Sequence, residues 1–577
     1  MKNPCRSDTL EAGSHRALLI LGLIAAGALC ALAAGEAASR HPVRARNGMV
    51  VSADSLASAA GLSVLRQGGN AVDAAVACGF ALAATYPEAG NIGGGGFMIL
   101  RRADGSVAMI DFRETAPRAA RRDMYLDAGG NPVRERSLLG PLASGVPGTV
   151  AGLLHALETY GTMDRQRVLA PALRCAEEGF PVGDRLAAAL LEEWPGLSRF
   201  PSTLKVYSRA GSPPREGDTL RQPDLGRTLR LIAEQGREGF YAGPVAGCII
   251  AEMRREGGII TAEDLAGYHA VERAPLRGVY RGFEIVTASP PSGGGASLIQ
   301  ILNFLEQCDL RGMGWNSSRA IHVLASASQR AFADRMAFLG DPDFVPMPLQ
   351  SLLSKEYAAA RMEGWDSLHA LDSRSIAPGL LREHRETTHY CTADRWGNVV
   401  SVTLTLNELF GCKVIVDGAG FFLNDEMDDF SVKTGASNLY GLVGGEPNAI
   451  APGKRMLSSM TPTIVLRDGK PFLALGARGG SRIPTTTAQI ISNVIDFEMN
   501  IQEAVDAPRT HHQWEPDTLL YDKRGLVADV LRALGSMGYK LAEVPWTARA
   551  QALMIDTVSG MILGGPDPRE NGVALGF

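Results

Sequence analysis

Glu386-Thr387-Thr388-His389-Tyr390-Cys391-Thr392-Ala393-Asp394 and Asn398-Val399-Val400-Ser401-Val402-Thr403-Leu404-Thr405-Leu406-Asn407 are two stretches of alternating character joined through Arg395-Trp396-Gly397. A period of two is the signature of strands whose faces meet different surroundings. The glycine in the 394–398 segment suits a tight connection between them. A hairpin folded about Trp396 sets Thr387 opposite Thr405, so that two hydroxyls meet at the open end of the ladder. Threonine is at home in half-buried strands, and composition alone makes this hairpin a structural element.

The surrounding chain has a soluble, globular composition: 577 residues, 45% hydrophobic and 21% charged, with a formal net charge of -5. That length allows two to four ordinary domains or one large layered body. The charge balance lacks the basic surplus of a nucleic-acid binder. At the N-terminus Lys2, Arg6, His15 and Arg16 precede an apolar run over residues 17–34, followed by Gly35, Ala37, Ala38 and Ser39. This is the pattern of an export signal, cleaved near residue 38. The expected location is the periplasm or the medium, with no stable membrane insertion after cleavage; a retained anchor is the alternative, since the run approaches the minimum span. Cys78, Cys175, Cys248, Cys308, Cys391 and Cys412 remain beyond the signal, too scattered for a disulfide framework or a metal knuckle. A Cys391–Cys412 bridge is left open.

Residues 50–65 and 71–84 are alanine-rich and apolar at helical spacing, and Asn70 is placed to cap the second helix with Asp73 at N3. The glycine run within 90–98 has no following Lys-Ser or Lys-Thr pair and leads into a strand, 97–101, so phosphate-loop motifs fail. Close backbone packing is the better reading. That strand turns at Asp104-Gly105 into 107–112 and ends in the charged cluster Asp111-Phe112-Arg113-Glu114-Thr115, where an arginine is by default solvated. Helices are expected across 150–193, with a stop at Trp194-Pro195-Gly196, and again at 225–233, 243–256, 296–306 and 320–339; residues 201–228 read as a polar connection. After the central hairpin come an acidic stretch at 424–429, a loop-like segment at 431–454, a second hairpin at 463–467 and 471–475, a helix at 485–495, and late strands. Strand runs between helical runs point to an α+β arrangement of paired sheets and helical layers, not to a parallel βαβ array.

Familiar catalytic motifs are missing. No Gly-x-Ser-x-Gly elbow occurs, and His511-His512, being adjacent, cannot share a helix face as the histidines of His-Glu-x-x-His do. A threonine hydroxyl is a weak nucleophile that needs a base. An N-terminal threonine carries one, because its own α-amine titrates near ~8. Cleavage between Glu386 and Thr387 would create such a residue.

Glu386-Thr387-Thr388-His389-Tyr390 resembles the cleavage and nucleophile site of the γ-glutamyltransferase (glutathione hydrolase) family. Gln67-Gly68-Gly69-Asn70, Gly93 to Met98, Asp111 to Pro117, Thr403 to Asn407, Asn424 to Phe430, Leu457-Ser458-Ser459-Met460 and Gly479-Gly480-Ser481-Arg482 agree with it in family order. The resemblance implies a four-layer αββα sandwich of the N-terminal nucleophile hydrolase type. It also implies a precursor that cuts itself into a large subunit, 39–386, and a small subunit, 387–577, which remain together as a heterodimer.

By the same resemblance, Thr387 attacks the γ-carbonyl of glutathione or another γ-glutamyl compound, and the resulting ester is resolved by water or by an amino acid or dipeptide acceptor. Thr405 is implied to orient the nucleophile, and Gly479 and Gly480 to supply oxyanion-hole N–H groups. Arg113, Ser458 and Ser459 match the residues at the substrate α-carboxylate, and Asn407, Glu426 and Asp429 those at its α-ammonium. Some bacterial relatives have glutamine at position 426, so Glu426 keeps an acceptor and adds a charge. Tyr440 matches a residue of the lid found over the pocket in some members. Neither motif nor resemblance implies a cofactor or a metal. Two rivals share the pattern: a glutaryl-cephalosporin acylase, which has no use for the ammonium-binding side chains, and an uncleaved silent homologue, which has no use for Thr387, Thr405 and the glycine pair.

Overall fold

The structure is a computed structural model and describes residues 39–376, 386–433 and 445–577. The chain divides into Met1–His41 and Pro42–Phe577. Of the first unit only Ser39, Arg40 and His41 are described, and the expected export signal lies outside the described residues. Everything below concerns the second unit.

Two seven-stranded antiparallel sheets form its centre. One has the order Val573–Gly576, Gly48–Ser52, Glu386–Asp394, Val399–Asn407, Gly95–Arg101, Val107–Asp111, Val271–Arg273. The other runs Val43–Ala45, Ile562–Pro566, Arg549–Ile555, Lys470–Arg478, Thr463–Arg467, Phe283–Thr287, Leu276–Tyr280. Met49, Val51, Phe97, Ile99, Cys391 and Val399 of the first sheet share a buried layer with Val286, Ile464, Ala474 and Leu553 of the second. The opposite face of the first sheet, including Val400, Val402 and Leu404, packs with helices Ser55–Arg66, Ala71–Thr85 and Thr149–Tyr160. On the far side, helices Gly293–Leu305, Ser318–Phe338 and Arg482–Ile495 cover the second sheet. The layers are helix, sheet, sheet, helix, the αββα order that the resemblance implies.

The central hairpin has the expected register. Thr387 pairs with Thr405 and Ala393 with Val399, which centres the turn on Trp396. Asp394 closes that turn: its Oδ1 accepts from the N–H groups of Trp396 at 2.9 Å and Asn398 at 3.0 Å. Its Oδ2 accepts from the N–H of Ala71 at 2.9 Å, tying the turn to the start of helix Ala71–Thr85. That helix begins with the expected capping box of Asn70 and Asp73.

The glycine run is a close-packing device. A Cβ on Gly94 would stand 2.0 Å from the Thr405 carbonyl oxygen, and one on Gly96 2.1 Å from that of Thr403. The strand beside the hairpin can approach only because those side chains are absent.

Three expectations need correction. Residues 50–52 are strand, part of Gly48–Ser52, and the helix begins at Ser55. Val50 packs under helices while Val51 enters the layer between sheets, so a strand buried on both faces produced a continuous apolar run that imitated a helix. Pro195 does not stop its helix, which runs Asp184–Leu197. The connection at 201–228 contains a short helix, Pro201–Tyr207, started by proline at a position where its missing N–H costs nothing. Cys391 and Cys412 are both buried as free thiols. Among the described residues no helix is long and apolar enough to cross a membrane.

Because Asp394 accepts three backbone N–H groups, that of Ala71 buried and those of Trp396 and Asn398 part-buried, Asp394→Ala should destabilise the protein by about 1–3 kcal/mol. A chemical-unfolding midpoint equal to that of the unaltered protein would show that the turn holds its shape without the carboxylate.

Candidate active site

Thr387 and Thr405 are almost fully buried, at 4% and 3% exposure. They share their strand face with His389 and Thr403, whose side chains meet at 2.9 Å from Nδ1 to Oγ1. The register slips by one residue just before the nucleophile candidate, with Glu386 opposite Asn407 and Thr387 opposite Thr405. Such irregularities break the ladder locally and re-aim the chain. Asn407 continues the distortion with φ +81, its N–H donating to Thr405 Oγ1 at 2.8 Å.

Arg113, Thr387, Thr405, Asn407, Glu426, Asp429, Ser458, Ser459 and Gly480 all line one cavity of about 20 Å³. These are nine of the residues singled out in the sequence, drawn from six separate segments. Gly479 precedes Gly480 where strand Lys470–Arg478 turns into helix Arg482–Ile495, and both have positive φ, +137 and +57. Their carbonyls accept from the N–H groups of Arg482 and Ile483 at 3.2 and 3.0 Å. Tyr440 and the Glu386 side chain lie outside the described residues.

Arg113 is fully buried, not solvated. Its Nη1 donates to Glu426 at 2.5 Å and Glu114 at 3.3 Å, its Nη2 to Asp429, and its Nε to the Met456 carbonyl at 3.3 Å. The serine pair is held by backbone contacts: Ser458 N–H donates to Pro291 at 2.9 Å, and its carbonyl accepts from Gly293 at 2.7 Å. A Cβ on Gly294 would come within 2.4 Å of the Ser459 carbonyl oxygen, which explains the glycines opening helix Gly293–Leu305.

The model of the Gamma-glutamyltranspeptidase family matches residues 57–577. The chain belongs to the γ-glutamyltranspeptidase family. It is 48% identical to a glutathione hydrolase proenzyme from Escherichia coli over 92% of this chain and 91% of that protein. Among solved structures, a γ-glutamyltranspeptidase from Helicobacter pylori is 42% identical over 59% of this chain and 96% of its own, with a TM-score of 0.56. A cephalosporin acylase from Bacillus halodurans superposes with a TM-score of 0.84 at 28% identity, covering 94% of this chain and 98% of its own. The shape is therefore common to both activities, and the site has to separate them.

Charge is concentrated in this transpeptidase-family pocket. Glu114, Glu426 and Asp429 surround a single guanidinium. Burial alone would lower the Arg113 pKa, but the three carboxylates outweigh it and hold the group above its ordinary value. Burial raises the Glu426 carboxyl well above the usual range and pushes Glu114 up to about 7, with Arg113 opposing both shifts. Glu426 Oε1, Asp429 Oδ1, Glu114 Oε1 and Ser459 Oγ are buried without a hydrogen-bond partner. Three carboxyl groups with uncommitted acceptor atoms around one guanidinium can accept a further donor.

Two contributors escaped the sequence reading. Asp425 accepts from Asn407 Nδ2 at 3.3 Å with Oδ2 and at 3.1 Å with its backbone carbonyl, which fixes the orientation of that side-chain amide. Asn424 accepts from Gly145 N–H at 2.9 Å and donates to the Gly93 carbonyl at 2.8 Å, pinning the acidic turn Glu426–Asp429 against the glycine run. Neighbouring acidic residues identify that turn as polar, but nothing local shows that it is buried.

Because the folded pKa of Glu114 lies above its ordinary 4.5, its stabilising contribution is full below that pH and lost as pH rises through about 7. Glu114→Gln should flatten the fall in thermal midpoint between pH 5 and pH 8. Parallel pH profiles for the two proteins would remove Glu114 from the titrating cluster.

Proposed function

We propose that the chain is a self-processing γ-glutamyltransferase and glutathione hydrolase, in which Thr387 both cuts the precursor and serves as the nucleophile of turnover. The observation that carries this reading is the position of Thr387: it faces Thr405 across the ladder on the wall of the pocket that also holds Arg113, Glu426 and Asp429.

In maturation, Thr387 Oγ1 attacks the Glu386 carbonyl carbon, the peptide C–N bond breaks, and water hydrolyses the ester left behind. The slipped register before Thr387 supports this step, because it takes that peptide out of the regular ladder. The products are 39–386 and 387–577, once residues 1–38 have acted as an export signal to the periplasm or medium. The freed α-amine then accepts the Thr387 hydroxyl proton while Oγ1 attacks the substrate γ-carbonyl. Gly479 and Gly480 N–H groups stabilise the oxyanion, and the departing amine takes the proton as the γ-glutamyl ester forms. Thr405 orients the hydroxyl; water or an acceptor amine resolves the ester.

Recognition is an exchange of ion pairs. The substrate α-carboxylate takes donors from Arg113, Ser458 and Ser459, and its ammonium takes Glu426, Asp429 and the Asn407 carbonyl oxygen. Arg113 already pairs with Glu426 and Asp429, so a zwitterionic head replaces each internal contact with one of the same polarity. A glutaryl group would supply only the anionic half and leave the carboxylates uncompensated.

A γ-glutamyl anilide should therefore be preferred over the glutaryl anilide by about a thousandfold or more in kcat/KM. Comparable turnover of the two would transfer the chain to the acylase activity. Arg113→Ala should still be cut into two chains on a denaturing gel while losing about a hundredfold in kcat/KM; full kinetic competence would take Arg113 out of the recognition site.

A further inference from the structure

Beside the nucleophile pocket lies a second cavity, of about 470 Å³. Two chain segments connect them. Asn407 lines the first and Glu408 the second; Gly480 lines the first, and Arg478 and Arg482 on either side of it line the second. The larger space thus begins one residue from Asn407 and one or two residues from the proposed oxyanion glycines, Gly479 and Gly480.

Arg185, Arg478, Arg482 and Arg549 bring four guanidinium groups to its wall. Three of them have evident counterparts. Arg185 pairs with Glu88 at 3.1 Å and Glu570 at 3.6 Å, and Arg478 reaches Glu570 at 3.6 Å. Arg482 Nη1 donates to the carbonyls of Trp546 and Thr547 at 3.1 Å.

Arg549 differs. Its guanidinium stacks 3.9 Å over the Trp546 ring, and among the described residues it has no carboxylate at ion-pairing distance; its Nε, like that of Arg478, is buried without a hydrogen-bond partner. It also stands directly opposite Arg478 in the ladder, and like charges so placed destabilise a strand pair. An anion at Arg549 would relieve both conditions. Leu409, Pro545 and Trp546 add apolar surface, while Glu192 and Glu408 add carboxylates, a lining suited to a zwitterion with a modest side chain.

We propose that this cavity binds the amine partner of the reaction, the departing peptide and the incoming acceptor alike, and that Arg549, braced on Trp546, holds that partner's terminal carboxylate. The proposal rests on Thr387 being the nucleophile. The partner's amine then lies at the ester carbonyl, and its carboxylate extends into the guanidinium cluster. A planar, fork-shaped donor on an aromatic face suits a carboxylate better than a lysine would.

The test uses the mature enzyme with a γ-glutamyl anilide as donor and two acceptors, glycylglycine and glycylglycine amide, which differ in the terminal charge. Anilide release without acceptor reports on Thr387 alone; the ratio of the acceptors reports on the cavity. The unaltered enzyme should show a KM for the acid about tenfold or more below that for the amide. Arg549→Gln should bring the two within about twofold, through a rise in KM for the acid, and Arg549→Lys should recover part of the difference. An unaltered enzyme that treats acid and amide alike overturns the proposal even if the variants fail to fold. A variant Arg549→Gln that keeps the full preference overturns it as well.

Discussion

The pairing of Thr387 with Thr405 is the constraint on which the site depends. Side chains alternate along a strand, so a slip of one residue in this hairpin would turn Thr387 toward the helical layer and bring Thr388 to the pocket. Asp394 guards against that slip by fixing the turn and anchoring it to the helix that starts at Ala71. Gly94 and Gly96 then allow the next strand to lie against Thr405 and Thr403. The hydroxyl's position is thus set some distance away, by a turn at one end of the ladder and by missing side chains on the neighbouring strand.

A second constraint is electrostatic. Three carboxylates around one buried guanidinium would be an expensive arrangement in a core that served only stability. In the proposed mode of recognition, the carboxyl groups of Glu426 and Asp429 meet an α-ammonium group and Arg113 meets an α-carboxylate. On that proposal, a substrate with a single charge is left with an incomplete exchange. The arginine-lined cavity extends the same logic to the other side of the scissile amide, where the partner molecule also carries an amine and a carboxylate.

Much of this was legible in the residues, and the reasons differ by element. The hairpin register followed from period-two alternation around a five-residue turn, since both strands keep opposite faces distinct. The capping box at Asn70 and Asp73 was legible because its chemistry is local. Residues 50–52 misled because burial on both faces erases alternation. Arg113 and the 424–429 stretch look like surface chemistry in sequence; only the fold shows them buried against each other. The cavity around Arg549 was not legible at all, because its arginines come from three separate regions of the chain, near 185, 478–482 and 549, and nothing local shows that they converge.

The most direct measurement is the mass of the denatured protein before and after a rapid acid quench with a γ-glutamyl donor. The account predicts two chains, the shorter beginning at Thr387, and a γ-glutamyl adduct on Thr387 in the quenched sample. A single full-length chain, or an adduct on any other residue, would contradict it.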